Sequence, residues 1–197
     1  MNHLSTLLQI GVTAPNWFTN LLYLFVILFL IYLFTAKSEN IGNWCVLYPN
    51  MNHDPEEYYQ KIVEILAKHE VPNFHHRNRT FKQGGVISGQ RLYLEISRGE
   101  YIYHICGAPW GTDFFFSWWQ RKRYSPIERL FIKMPVLGPV IKAINETATY
   151  YKLDTDAAFN ASVQHAVQEA INGITDAKGL RRLTEAEWAP DMRSAVK

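Results

Sequence analysis

The first 36 residues contain no Asp, Glu, Lys or Arg; the 20 basic and 18 acidic side chains all lie from Lys37 onward. Within that stretch, Trp17 to Phe34 (WFTNLLYLFVILFLIYLF) is interrupted only by Thr19, Asn20 and the amphipathic Tyr23 and Tyr32. A helix rises about 1.5 Å per residue, so roughly 20 apolar residues cross a hydrocarbon core about 30 Å thick. A helix also satisfies its own backbone hydrogen bonds, which lipid cannot do. The pattern therefore predicts one transmembrane helix over residues 17–35, starting after Pro15, with Trp17 and Tyr32 at opposite interfaces. A cleaved signal peptide fits less well. No basic residue precedes the apolar run, and Phe34-Thr35-Ala36 places a bulky residue where a small one is wanted. Lys37 directly follows the span, so the positive-inside rule puts the C-terminal part in the cytoplasm. Leu4, Leu7 and Leu8 share one helical face and could lie in the interface.

Beyond this anchor (1–36), residues 37–43 (KSENIGN) read as a linker, and about 154 residues remain for one domain with its own core. An α+β part is predicted over 44–124. Residues 44–48 form a short strand, and Asp54-Pro55-Glu56-Glu57 starts a helix with an N-cap, a proline at N1 and acids in the first turn. Tyr58, Ile62, Ile65 and Leu66 supply its buried face. Residues 74–82 read as an edge strand. Residues 92–97 and 101–106 alternate as a hairpin about Arg98-Gly99-Glu100, and Gly107 to Gly111 is a turn. Phe114 to Trp119 (FFFSWW) is apolar on both faces, as in a covered strand. The expectation is an antiparallel sheet of three to five strands with the 54–70 helix on one face. Residues 125–197 read as a helical C-terminal region packed on the α+β part. Its clearest helix is capped by Asp154 and carries Phe159, Val163, Val167, Ala170 and Ile174 at helical spacing. Alanines at 157, 158, 161 and 166 leave room for a partner helix, which makes Phe159, Val163, Val167 and Ile174 a candidate partner-helix face. Thr184 and Glu187 have capping-box spacing.

No catalytic constellation emerges. His69, His75 and His76 cluster in sequence, and His104 and Cys106 share one face of a strand, but there is no second Cys pair and no His-Glu-x-x-His. Gly107 to Gly111 holds no nucleophile. Gln83-Gly84-Gly85 is a simple turn rather than a phosphate cradle. His165 and Glu169, one helical turn apart, read as a solvated face. Neither a metal nor another cofactor is expected.

Charge is distributed unevenly. Residues 68–133 hold 11 Lys or Arg against 5 Asp or Glu. Among them, Trp118-Trp119-Gln120-Arg121-Lys122-Arg123-Tyr124 sets aromatics beside three consecutive cations. Such a strip suits anionic headgroups. Single-stranded nucleic acid uses the same ingredients, but the anchor favours lipid. Trp17, Tyr32, Lys37, Trp118, Trp119, Arg121, Lys122 and Arg123 are therefore the candidate membrane-interface residues. The apolar segment 127–144, broken by Pro135 and Pro139, could contact the bilayer as well. Two cysteines, Cys45 and Cys106, could pair or remain free. The reading is a single-pass, non-catalytic subunit or adaptor of a larger membrane-associated assembly, with the bilayer and other membrane subunits as partners. The alternative is a membrane-tethered enzyme or small-ligand binder acting on a lipid-derived substrate, with a pocket between sheet and helices near His104 and Asp113.

Overall fold

The computed structural model describes residues 16–34, 38–82, 89–124 and 150–189. The segment 127–144, the stretch 4–12, the Gln83–Gly85 turn and Lys37 lie outside the described residues. The chain has an α+β fold built on a five-stranded antiparallel sheet. After α1 (Asn16–Phe34) come β1 (Ser38–Tyr48), α2 (Pro55–Lys68), β2 (His75–Lys82), β3 (Gln90–Arg98), β4 (Tyr101–Trp110) and β5 (Asp113–Arg123). Among the described residues, two more helices follow, α3 (Tyr150–Ala177) and α4 (Glu185–Trp188). The strand order is β1-β5-β4-β3-β2. The four later strands form a meander, and α2 carries the chain from β1 at one edge to β2 at the other.

Local chemistry accounts for most of these boundaries. The Asp54 side chain accepts from the Glu56 N–H at 3.0 Å, so the predicted cap starts α2. Gly99 and Gly111 adopt φ of +56° and +65° at the β3–β4 and β4–β5 turns, where L side chains are strained. The second turn is tighter than the sequence suggests. Gly107 to Trp110 continue β4, because Gly107 pairs with Phe116 and Ala108 with Phe115. β1 likewise begins at Ser38, inside the stretch read as a linker, because Ser38 and Glu39 pair with Arg123 and Lys122. α3 starts a full turn before Asp154, which is therefore a helix residue rather than a cap.

Strand periodicity splits the sheet into two faces. One face presents Trp44 and Tyr48 (β1), Phe114, Phe116 and Trp118 (β5), Tyr103 and Ile105 (β4), and Leu94 and Ile96 (β3), all buried under α2 and α3. Burying each large side chain contributes on the order of 1.5–3 kcal/mol. Tyr58 of α2 lies against Gly107, where an added Cβ would meet its ring at 2.7 Å. Residues after α3 close the β1 end of this core. Trp188 stacks on Trp44 with centroids 4.8 Å apart, and the Trp44 indole N–H donates to the Glu187 carbonyl at 2.6 Å. The Tyr48 hydroxyl donates to the Arg181 carbonyl. At the start of α4, the Thr184 N–H donates to the Glu187 carboxylate at 2.8 Å, as its capping-box spacing predicts.

Candidate functional site: a charge-free helix and an open sheet face

α1 runs 19 residues without a charge. Its described side chains, residues 17–29 and 31, are overwhelmingly exposed, Trp17 at 68%, Phe25 at 65% and Ile31 at 57% among them. Nine consecutive exposed residues, 21–29, cover every azimuth of a helix with 3.6 residues per turn. Taken over the residues whose side chains are described, no helix is long and apolar enough to cross a membrane.

The second site is the face of the sheet turned away from α2 and α3. It carries Cys45 and Leu47 from β1; Phe115, Ser117, Trp119 and Arg121 from β5; His104, Cys106 and Trp110 from β4; Tyr93 and Glu95 from β3; and Arg77, Arg79 and Phe81 from β2. At its centre Glu95 is almost completely buried. It is held by Arg77, whose Nε donates to Oε1 at 2.7 Å, and by Arg79, whose Nη1 donates to Oε2 at 2.9 Å. Burial disfavours the carboxylate, but the hydrogen bonds from Arg79 and Arg77 outweigh it and hold the Glu95 pKa below its ordinary value. His104, cross-strand from Glu95, has Nε2 3.9 Å from Oε2 and stacks on Phe81. Its burial pushes the imidazole pKa down to about 4, against the pull of Glu95.

This face is poorly suited to acid–base or nucleophilic chemistry. Both Glu95 oxygens already accept from arginine, and His104 is neutral at pH 7. Cys106 is fully buried and burial raises its thiol pKa, so it carries little thiolate. Cys45 and Cys106 are both free thiols on the two strands flanking Ser117 of β5. Two strand spacings separate them, about 9–10 Å, too far for a disulfide. His104 faces away from the helices, and Asp113 sits at the β4–β5 turn, accepting from the Asn50 N–H at 3.0 Å. The face instead exposes large apolar groups, Leu47, Trp110 and Trp119. Among the described residues, three of its buried polar atoms have no hydrogen-bond partner: His104 Nδ1, Ser117 Oγ and Arg121 Nε.

The basic-aromatic strip is divided by its own strand. Trp118 is only 4% exposed and packs edge-on against Tyr103 in the core. Trp119 and Arg121 lie on the open face. Lys122 pairs with Glu100 at 3.3 Å, and Arg123 is exposed at the strand end. Of the anchor residues, Trp17 is exposed on α1, and the side chain of Tyr32, like Lys37, lies outside the described residues. Phe159, Val163, Val167 and Ile174 are buried in this chain's own core. Among the described residues, the helix packed against α3 is α2.

One further group brings metal-ligating side chains together. His69 at the C-cap of α2 has Nε2 3.7 Å from Glu169 Oε2, and His165 Nδ1 lies 3.9 Å from the same oxygen. Sequence spacing shows only the His165–Glu169 half, because His69 reaches it through the α2–α3 packing.

No family model, curated protein or solved structure matches the chain.

Proposed function

We propose that the chain is a single-pass membrane protein whose α+β domain is a non-catalytic subunit or adaptor of a larger membrane-associated assembly. The observation that carries this reading is α1, uncharged over 19 residues and apolar on every side. A helix hydrophobic all round is stable only when lipid or other helices surround it. At about 1.5 Å per residue its length is about 28 Å, matching a hydrocarbon core. The exposed apolar side chains of the second sheet face, Leu47, Trp110 and Trp119, supply a docking surface. Tryptophan and arginine are the residue types that dominate binding hot spots, and Trp110, Trp119 and the Arg77–Glu95–Arg79 cluster sit there together. Two free thiols suit a reducing compartment, and with Lys37 after the span they support a cytoplasmic domain in this reading.

The test is purification of the full-length protein in gentle detergent, followed by mass determination of the intact complex. Fixed stoichiometric membrane partners, lost on Trp119→Ala with Trp110→Ala, are expected. Recovery only as a monomer or homo-oligomer would overturn the subunit reading. Release from membranes by alkaline carbonate would overturn the anchor.

A further inference from the structure

We propose that His69, His165 and Glu169 bind one first-row divalent cation of the Zn²⁺ class, clasping the end of α2 to the middle of α3. The three ligand atoms lie within 4.8 Å of one another. Two imidazoles and one carboxylate are a recurrent zinc ligand set when a fourth position stays open. Tetrahedral bonds of about 2.0–2.1 Å place ligand atoms about 3.3–3.4 Å apart. The observed 3.7 and 3.9 Å separations need closing by about half an ångström, and the two imidazole nitrogens, within 4.8 Å of each other, by up to about 1.4 Å, which rotation of part-exposed side chains supplies.

The spacing is also wrong for the simpler explanation. Direct N–H···O hydrogen bonds fall at 2.7–3.2 Å, so neither imidazole hydrogen-bonds to Glu169. The rings instead stand around one carboxylate oxygen with centroids 5.5 Å apart. Backbone position adds to the case. His69 ends α2, where the last carbonyls of a helix favour positive charge. Next to Glu169 an open depression runs along α3 past Asn172, Gly173 and Asp176. Gly173, one turn beyond Glu169, lets the Lys61 side chain approach, with Cε 3.5 Å from where a Cβ would sit. The buried Asn172 Oδ1 has no donor among the described residues. The depression, bordered by His165, Glu169 and Arg182, gives water access to the two α3 ligands.

The geometry requires topology as much as sequence. Glu169 and His165 come from one helix, but His69 arrives only because α2 packs on α3. The ion would therefore stabilise that packing as well as occupy a site, since a ligand that binds only the folded state adds to its stability.

The experiment is titration of the full-length protein in detergent with ZnCl₂ against a chromogenic indicator, paired with the visible absorption of added Co²⁺. One ion per chain is expected, with a rise in the thermal midpoint. His69→Ala, His165→Ala and Glu169→Gln should each weaken binding at least tenfold and abolish the Co²⁺ bands, with His75→Ala and His76→Ala unchanged. All five positions lie at or near the surface, and circular dichroism checks that the variants fold. Less than one equivalent in the wild type, or tight binding that survives His69→Ala with His165→Ala, would overturn the proposal. Neither outcome depends on membrane partners.

Discussion

Two adjacent tyrosines on α2 show how little residue type says about role. Tyr58 and Tyr59 are both buried, but only Tyr59 uses its hydroxyl structurally. By register, Leu92 should face Gly107 just beyond the last β3–β4 pair, Leu94 with Ile105. The ladder stops there, and the Tyr59 hydroxyl takes its place, accepting from the Gly107 N–H at 3.0 Å and donating to the Leu92 carbonyl at 2.8 Å. The Tyr58 hydroxyl has no partner among the described residues. Tyr59→Phe should therefore cost about 1–3 kcal/mol, because two backbone groups lose their partner. Tyr58→Phe should be neutral or stabilising, because it removes an unsatisfied buried oxygen. Urea unfolding of the two variants checks both. Gly107→Ala should cost a similar 1–3 kcal/mol through overpacking against the Tyr58 ring.

Legibility at the level of elements followed the strength of local signals. α2 was readable because its cap, its N1 proline and its apolar stripe agree. The β3–β4 hairpin was readable because Leu92 to Ile105 alternates about a glycine turn. The first half of β1 was not, since SENIGN has no apolar alternation and is held in the sheet by β5. Nor was the strand character of Arg121 to Arg123, where cations hide a period of two. The same period separates the neighbouring tryptophans. Trp118→Ala should cost about 3–5 kcal/mol as a core truncation, while Trp119→Ala should leave the unfolding midpoint nearly unchanged and weaken partner capture. In α1, Ile27→Arg places a charge near the helix centre, at about 2.5–3.5 kcal/mol for insertion. A larger carbonate-extractable fraction is the expected result. The open sheet face went unread in the sequence as a site, because its residues come from all five strands and only the strand order gathers them.

Acid should destabilise the whole molecule in two stages. The folded state holds His104 at about 4, so between pH 6.5 and 4 the unfolded chain binds a proton that the folded one does not. That stability is complete above pH 6.5 and falls with pH, by roughly 2 kcal/mol between pH 7 and pH 5. Glu95, with its pKa lowered, contributes stability present above the ordinary carboxylate range and lost on further acidification. Urea midpoints at pH 7 and pH 5 should converge in His104→Gln relative to the wild type. The strand order carries one more consequence, for the order of events during synthesis. Among the described residues, β1 is the first strand to emerge, yet it pairs with β5, the last of the five. Until then the aromatic run Trp44 to Tyr48 has neither its neighbouring strand nor Trp188 to cover it. Contacts this distant in sequence close slowly. A nascent chain stalled before Asp113 would expose a sticky edge, and chains truncated there should aggregate or recruit chaperones, whereas chains ending after α4 should not.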